Sequence, residues 1–131
     1  MIKQSLGFTV IELIFVAVLV GAASILFFVQ KSNIEVTAQD STRKTAINAM
    51  YYGLEEVFYP ANHYYPQIIS TDNLKSVDPA LFTDPNGIKL GAAHSEYTYS
   101  PTDCANNQCK SYTLKASLIN EADYVKTNKV K

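Results

Sequence analysis

Gly7-Phe8-Thr9-Val10-Ile11-Glu12-Leu13 opens an apolar run that reaches Val29 and is broken by one carboxylate, Glu12. Leu13 to Val29 contains no charge, and Phe8 to Val29 is 22 residues long. That is close to the ~20 residues that cross a hydrocarbon core as a helix. An ionised carboxylate in mid-bilayer costs about 2.5–3.5 kcal/mol on insertion scales, so a chain that keeps Glu12 is expected to use it. The run therefore reads as a membrane helix with a task beyond anchoring, and the remainder of the chain as what it carries.

Two plainer readings compete. A secretory signal would take Lys3 as its basic residue, Leu13 to Val20 as its apolar core and Gly21-Ala22-Ala23 as its cleavage site, leaving a mature chain from Ser24. The apolar run resumes after Ser24 with Ile25-Leu26-Phe27-Phe28-Val29, which such a signal does not explain. A simple anchor would let Glu12 snorkel to the interface from the first turn. Both leave Gly7-Phe8 without a role.

The stretch resembles the processing site of type IV pilins and type II secretion pseudopilins. The resemblance implies a prepilin peptidase that cuts after Gly7 and methylates the new N-terminus at Phe8, with Glu12 serving filament assembly. Met1 to Gly7, polar with one lysine, fits the short leader of that family. Gly21 matches a glycine common in the family, whereas Val29 stands where many members have proline. The function implied is a structural subunit of a type IV pilus or pilus-like filament. Its close alternative is a pseudopilin of a type II secretion or DNA-uptake system, and a more distant one is a membrane-anchored extracytoplasmic binding domain that never polymerises. The partners implied are copies of the chain and other pilins, the prepilin peptidase, and an assembly platform in the cytoplasmic membrane. The location implied is that membrane, crossed once with the C-terminal domain outside, and then a surface pilus or pseudopilus.

Length and charge bound the rest. The chain has 131 residues and a formal net charge of −1; loss of residues 1–7, with Lys3, leaves 124 residues and −2. About 100 residues outside the apolar run suffice for one small domain. The charge balance argues against nucleic acid as the main partner. Lys31, Arg43 and Lys44 after the span, against Lys3 before it, orient it only weakly.

Residues 30–59 are expected to continue the helix amphipathically, giving four segments: 1–7, 8–29, 30–59 and 60–131. Ala38, Thr42, Ala46, Met50, Leu54 and Phe58, joined by Ile47, Tyr51 and Val57, recur at three- and four-residue spacing. Gln39, Arg43, Asn48 and Glu55 are assigned to the opposite face. Unbroken from Phe8 to Tyr59, the helix would measure about 78 Å. Gly53 marks either a kink or a close approach, and Pro60 should end the helix by forcing Tyr59 out of the α region. Ser70-Thr71-Asp72 and Asp78-Pro79 read as caps of short turns, and Asp84-Pro85-Asn86-Gly87 as a tight turn.

Beyond these, period-two alternation predicts strands at Glu96–Ser100, Ser111–Leu118 and Tyr124–Lys126. Tyr112, Leu114, Ala116 and Leu118 share one face and are the natural cover for the helix stripe. The fold class is therefore α+β, one long helix whose first half spans the membrane, packed on a small antiparallel sheet; the resemblance implies the same α/β roll. Cys104 and Cys109 bracket four residues between the first two strands. In an exported domain they are expected to form a disulfide, at a Cα spacing of about 4.4–6.8 Å.

Catalytic, metal and cofactor chemistry find little support. His94-Ser95-Glu96 are sequence neighbours whose side chains diverge in an extended chain, unlike a triad. His63 lies in the loop that ends the helix. Two cysteines without further ligands make half a zinc site, and the aspartates of residues 70–90 lack the dense oxygen alternation of a calcium loop. No glycine-rich phosphate cradle is present. The chain reads as a non-enzyme without cofactor or metal.

Overall fold

The computed structural model describes Gly7 and residues 9–129. The chain divides between Glu35 and Val36 into two compact units. Helix α1 is Val10–Tyr52. It starts where the Thr9 carbonyl accepts the N–H groups of Glu12 and Leu13, at 3.1 and 3.2 Å.

The helix is not uniform to Tyr59. A π-helical segment, Gly53–Phe58, follows α1, and a last α-helical turn, α2, covers Tyr59–Asn62. Tyr59 stays in the α region, its N–H donating to the Leu54 carbonyl. Pro60, expected to end the helix, therefore lies inside its final turn. Proline has no N–H to donate and its ring clashes with the carbonyl four residues back in an α-helix; the wider π turn before it removes that conflict. His63 closes the helix in the left-handed conformation, φ 62°, with its N–H on the Tyr59 carbonyl.

Gly53 marks a close approach. It begins the π segment, and a Cβ there would stand 2.7 Å from Val77 Cγ2.

In the folded unit, Ala46, Ile47, Met50 and Leu54 on the helix are buried together with Tyr97, Tyr112, Leu114 and Ala116 on the sheet, while Ile69, Leu74, Val77 and Phe82 bring the loop into the same core. The expected stripe needs correction at its ends. Ala38, Thr42 and Val57 are exposed, whereas Asp40, Arg43 and Glu55 are buried. The cause is geometric. Steps of four advance a face by about 40° each, so a row built on them winds away from the core, while the alternating steps of 40, 43, 47, 50 and 54 stay on it.

The sheet has four strands: β1, Tyr65–Pro66; β2, Tyr97–Ala105; β3, Gln108–Ala116; and β4, Tyr124–Thr127. All pairings are antiparallel and β3 is central. β2 takes one edge of β3; the other is shared by β1, opposite Gln108 and Cys109, and β4, opposite Thr113 to Ala116. Between them Asn128 Oδ1 accepts the Tyr112 N–H at 3.4 Å. β1 was not expected, and β2 runs five residues beyond Ser100 through Pro101 to the turn. Pro101 is tolerated because β2 is an edge strand. β3 begins three residues before Ser111 and stops at Ala116 rather than Leu118. Tyr112, Leu114 and Ala116 do face the helix as a buried set.

The connecting loop is organised by carboxylates. Asp78 accepts the Ala80 N–H and caps a short 3-10 turn at Pro79–Phe82. Asp84, buried, accepts from the N–H groups of Asn86, Ile88 and Glu96 at 2.9–3.0 Å. The chain after β3 is held along the helix flank by Lys44–Glu121 at 2.6 Å, Tyr124 Oη–Asn48 Oδ1 at 3.0 Å, Lys126 over the Tyr51 ring at 5.3 Å, and Lys129–Glu56.

Candidate functional site

The first unit carries chemistry the second does not. From Val10 to Glu35 every described side chain is exposed, including Ile11, Leu13, Phe15, Leu19, Ile25 and Phe28. Apolar surface on this scale marks a partner or a lipid phase. By length and composition the helix can cross a membrane. Ser24 does not raise the polarity of the run, because its hydroxyl donates to the Val20 carbonyl at 2.8 Å.

Glu12 is the only ionisable residue between Val10 and Gln30. It lies in the first turn of α1, near the positive end of the helix dipole, where a carboxylate is favoured. Thr9 and Glu12 also have the spacing of a capping box. Among the described residues the Glu12 carboxylate has no side-chain partner. Gly7 is exposed, with nothing among the described residues within 4 Å of where a Cβ would sit. Phe8 and residues 1–6 lie outside the described residues, and with them the expected new N-terminus.

In the folded unit Cys104 and Cys109 form a disulfide. They face each other across β2 and β3, on either side of Asn106 and Asn107, whose φ values of 52° and 63° suit a two-residue hairpin turn. Their Cα atoms are 3.9 Å apart, closer than the usual range.

Two buried polar clusters escaped the sequence reading. Arg43, fully buried, donates through Nη1 to Asp40 at 2.9 Å and through Nε to Glu96 at 2.5 Å. Asp40 also accepts the N–H groups of Ile119 and Asn120. Glu55 Oε1 accepts the hydroxyls of Tyr65 and Tyr112 at 2.8 and 2.9 Å. Asp40 and Arg43 are three residues apart and in phase with Ile47 and Met50, so spacing could have placed them inside. These clusters tie the helix to the sheet and to the segment after β3, although Arg43 Nη2 and Glu55 Oε2 are buried without a hydrogen-bond partner among the described residues.

Ser95 Oγ accepts the Tyr97 N–H, Glu96 pairs with Arg43, and His63 serves as the left-handed helix cap. The loop aspartates at 78 and 84 spend carboxylate oxygens on backbone N–H groups. Among the described residues no three His, Cys, Asp or Glu side chains are grouped to hold a metal. Compared with known proteins, the chain matches no family model, no curated protein and no solved structure.

Proposed function

We propose that the chain is the structural subunit of a type IV pilus or pilus-like filament, released from a leader by cleavage after Gly7 and stored in the cytoplasmic membrane before assembly. The observation that carries the reading is Glu12, one carboxylate without a side-chain partner among the described residues, on a helix whose apolar side chains are exposed on every side. A lone anchor has no need of it. In a bundle of such helices the carboxylate is withdrawn from water and needs a cation, and the α-amine created at Phe8 of a neighbouring copy supplies one. An unpaired buried charge is costly and a paired one acceptable, so the pair favours the axial register that satisfies both. An α+β unit outside the membrane with a disulfide-closed hairpin fits an exported domain.

The test is Glu12→Ala. Membrane insertion, Gly7 processing and folding of the second unit should be unchanged, while the yield of sheared filaments falls sharply; Glu12→Asp should be intermediate. Normal filaments from Glu12→Ala would remove the register mechanism. Loss of the protein from the membrane fraction would return Glu12 to the anchor.

A further inference from the structure

The end of the folded unit where the helix stops carries a cavity of about 400 Å³, within the range of small-ligand sites. None of its eight lining residues is charged. Four are carboxamides, Asn62, Gln67, Asn73 and Asn107, and two are aromatic, Phe58 and Tyr64, whose rings stand edge to face with centroids 5.7 Å apart. The carboxamides are not equally available. Asn73 is used in the wall, accepting the Ser70 N–H and donating to the Ile68 carbonyl. Asn62 donates to the Phe58 carbonyl and keeps its oxygen free to accept. Gln67 and Asn107 form no side-chain hydrogen bond among the described residues. Ile68, also in the lining, is 74% exposed.

We infer that this cavity binds a neutral saccharide. A carboxamide offers a donor pair and an acceptor on one planar group, which matches vicinal hydroxyls that both donate and accept. Aromatic faces and the Ile68 side chain suit the C–H face of a sugar ring. The absence of charge in the lining of this cavity disfavours an ionic ligand there; the one charged residue along the row of adjoining cavities is Lys89, in the third. A peptide added as a strand is disfavoured too, because the neighbouring strand β1 is two residues long and ends in Pro66, which has no N–H. The ligand is a chain rather than a single sugar. A second cavity of about 320 Å³ shares Gln67 and Ile68 with the first, and a third of about 330 Å³ shares Ile69 and Leu90 with the second. The three follow one another along residues 67–71.

The experiment uses the full chain in a detergent without a sugar headgroup, titrated calorimetrically with maltohexaose, cellohexaose and chitohexaose and with their monosaccharides. At least one hexaose should bind with a Kd of about 1 mM or tighter, and its monosaccharide at least about tenfold more weakly. Gln67→Ala combined with Asn107→Gly removes both free carboxamides while keeping a residue that accepts positive φ in the turn. That variant should lose about tenfold in affinity without a change in melting temperature. Absence of binding by all three hexaoses overturns the proposal, as does binding indifferent to the double variant. A variant that instead changes the oligomeric state, with no saccharide bound, would identify the cavity as a contact between copies and overturn it equally.

Discussion

Arg43 Nε and Glu96 Oε2 lie 2.5 Å apart across 53 positions of sequence, with the arginine side chain fully buried. Through Nη1 the same guanidinium holds Asp40, which holds the N–H groups of Ile119 and Asn120. One buried cation thus joins the helix, the start of β2 and the segment after β3.

Removing it should be costly. Breaking a buried ion pair by deleting one partner costs about 3–5 kcal/mol. Arg43→Ala should fall near 3 kcal/mol, the lower end of that range, because Asp40 keeps two backbone donors and Glu96 remains partly exposed. Urea unfolding of the full chain in detergent measures it, and a loss under about 1 kcal/mol would be that of a surface pair. Acid should act on the same cluster. Burial pushes the Asp40 carboxyl up, but the two N–H groups and the Arg43 guanidinium outweigh burial and hold it below its ordinary value. Its contribution is then complete above the unfolded value of about 3.9 and is lost as pH falls through the lower folded value. Asp40→Asn should flatten that acid limb.

Alkali should act on the tyrosines. Burial raises Tyr65, Tyr97, Tyr99 and Tyr112, Tyr97 to about 12. At Tyr65 and Tyr112 the Glu55 carboxylate adds to burial by accepting their hydroxyls. A phenol raised in the folded state contributes stability below the unfolded value of about 10 and loses it as pH climbs through the folded value. Phenolate absorbance should therefore lag for these four until the unit unfolds, and Glu55→Gln should shorten the lag of Tyr65 and Tyr112 alone. An unchanged lag in Glu55→Gln would assign the effect wholly to burial.

The limits of the sequence reading follow from the same contacts. The long helix and the hairpin before β4 were legible because their apolar positions recur with a clear period and the turn sits between two cysteines. Arg43 and Glu55 were assigned to the solvent face, and Asp40 was not singled out, because charge suggests solvent, and only their distant partners, Glu96, Ile119, Tyr65 and Tyr112, make burial tolerable. The π turn has no periodic signature, since one extra residue per turn leaves composition unchanged. β1 is two residues long, set by Cys109 and Gln108 across from it rather than by local preference. β2 was cut short at Ser100 because Pro101 and Asp103 interrupt the alternation. At the candidate site, Glu12 was legible as a carboxylate in an apolar run, whereas the carboxamide cavity assembles residues 58 to 107 and has no local pattern.

Gly53 separates two effects of opposite sign. Alanine is favoured over glycine in a helix by about 1 kcal/mol, but its Cβ would meet Val77 Cγ2 at 2.7 Å, and Val77 is buried and stiff. Overpacking costs about 1–3 kcal/mol, so Gly53→Ala should destabilise despite its propensity. Val77→Ala should destabilise by leaving a void. Together the two should cost clearly less than their sum, because the new methyl enters the space the valine vacated. Additive losses would show that Gly53 is retained for the π turn rather than for its contact.

Processing isolates the peptidase from the fold. Gly7 is exposed and, among the described residues, nothing lies within 4 Å of where a Cβ would go, so a substitution there meets no packing from the described residues. Gly7→Glu should leave membrane insertion and the melting of the folded unit unchanged. Its effect should appear at the bond between Gly7 and Phe8, where the proposed peptidase would require a small residue. Mass spectrometry of the native protein should find a chain beginning at N-methyl-Phe8. Gly7→Glu should retain Met1 to residue 7 and accumulate as an unassembled membrane precursor. Because insertion and stability are controls, the retained leader is attributable to the peptidase alone. Normal maturation of Gly7→Glu would dismiss the cleavage after Gly7, and a native chain beginning at Ser24 would replace it with ordinary signal cleavage. In the second case Glu12 would be lost with the signal, and no role in assembly could rest on it.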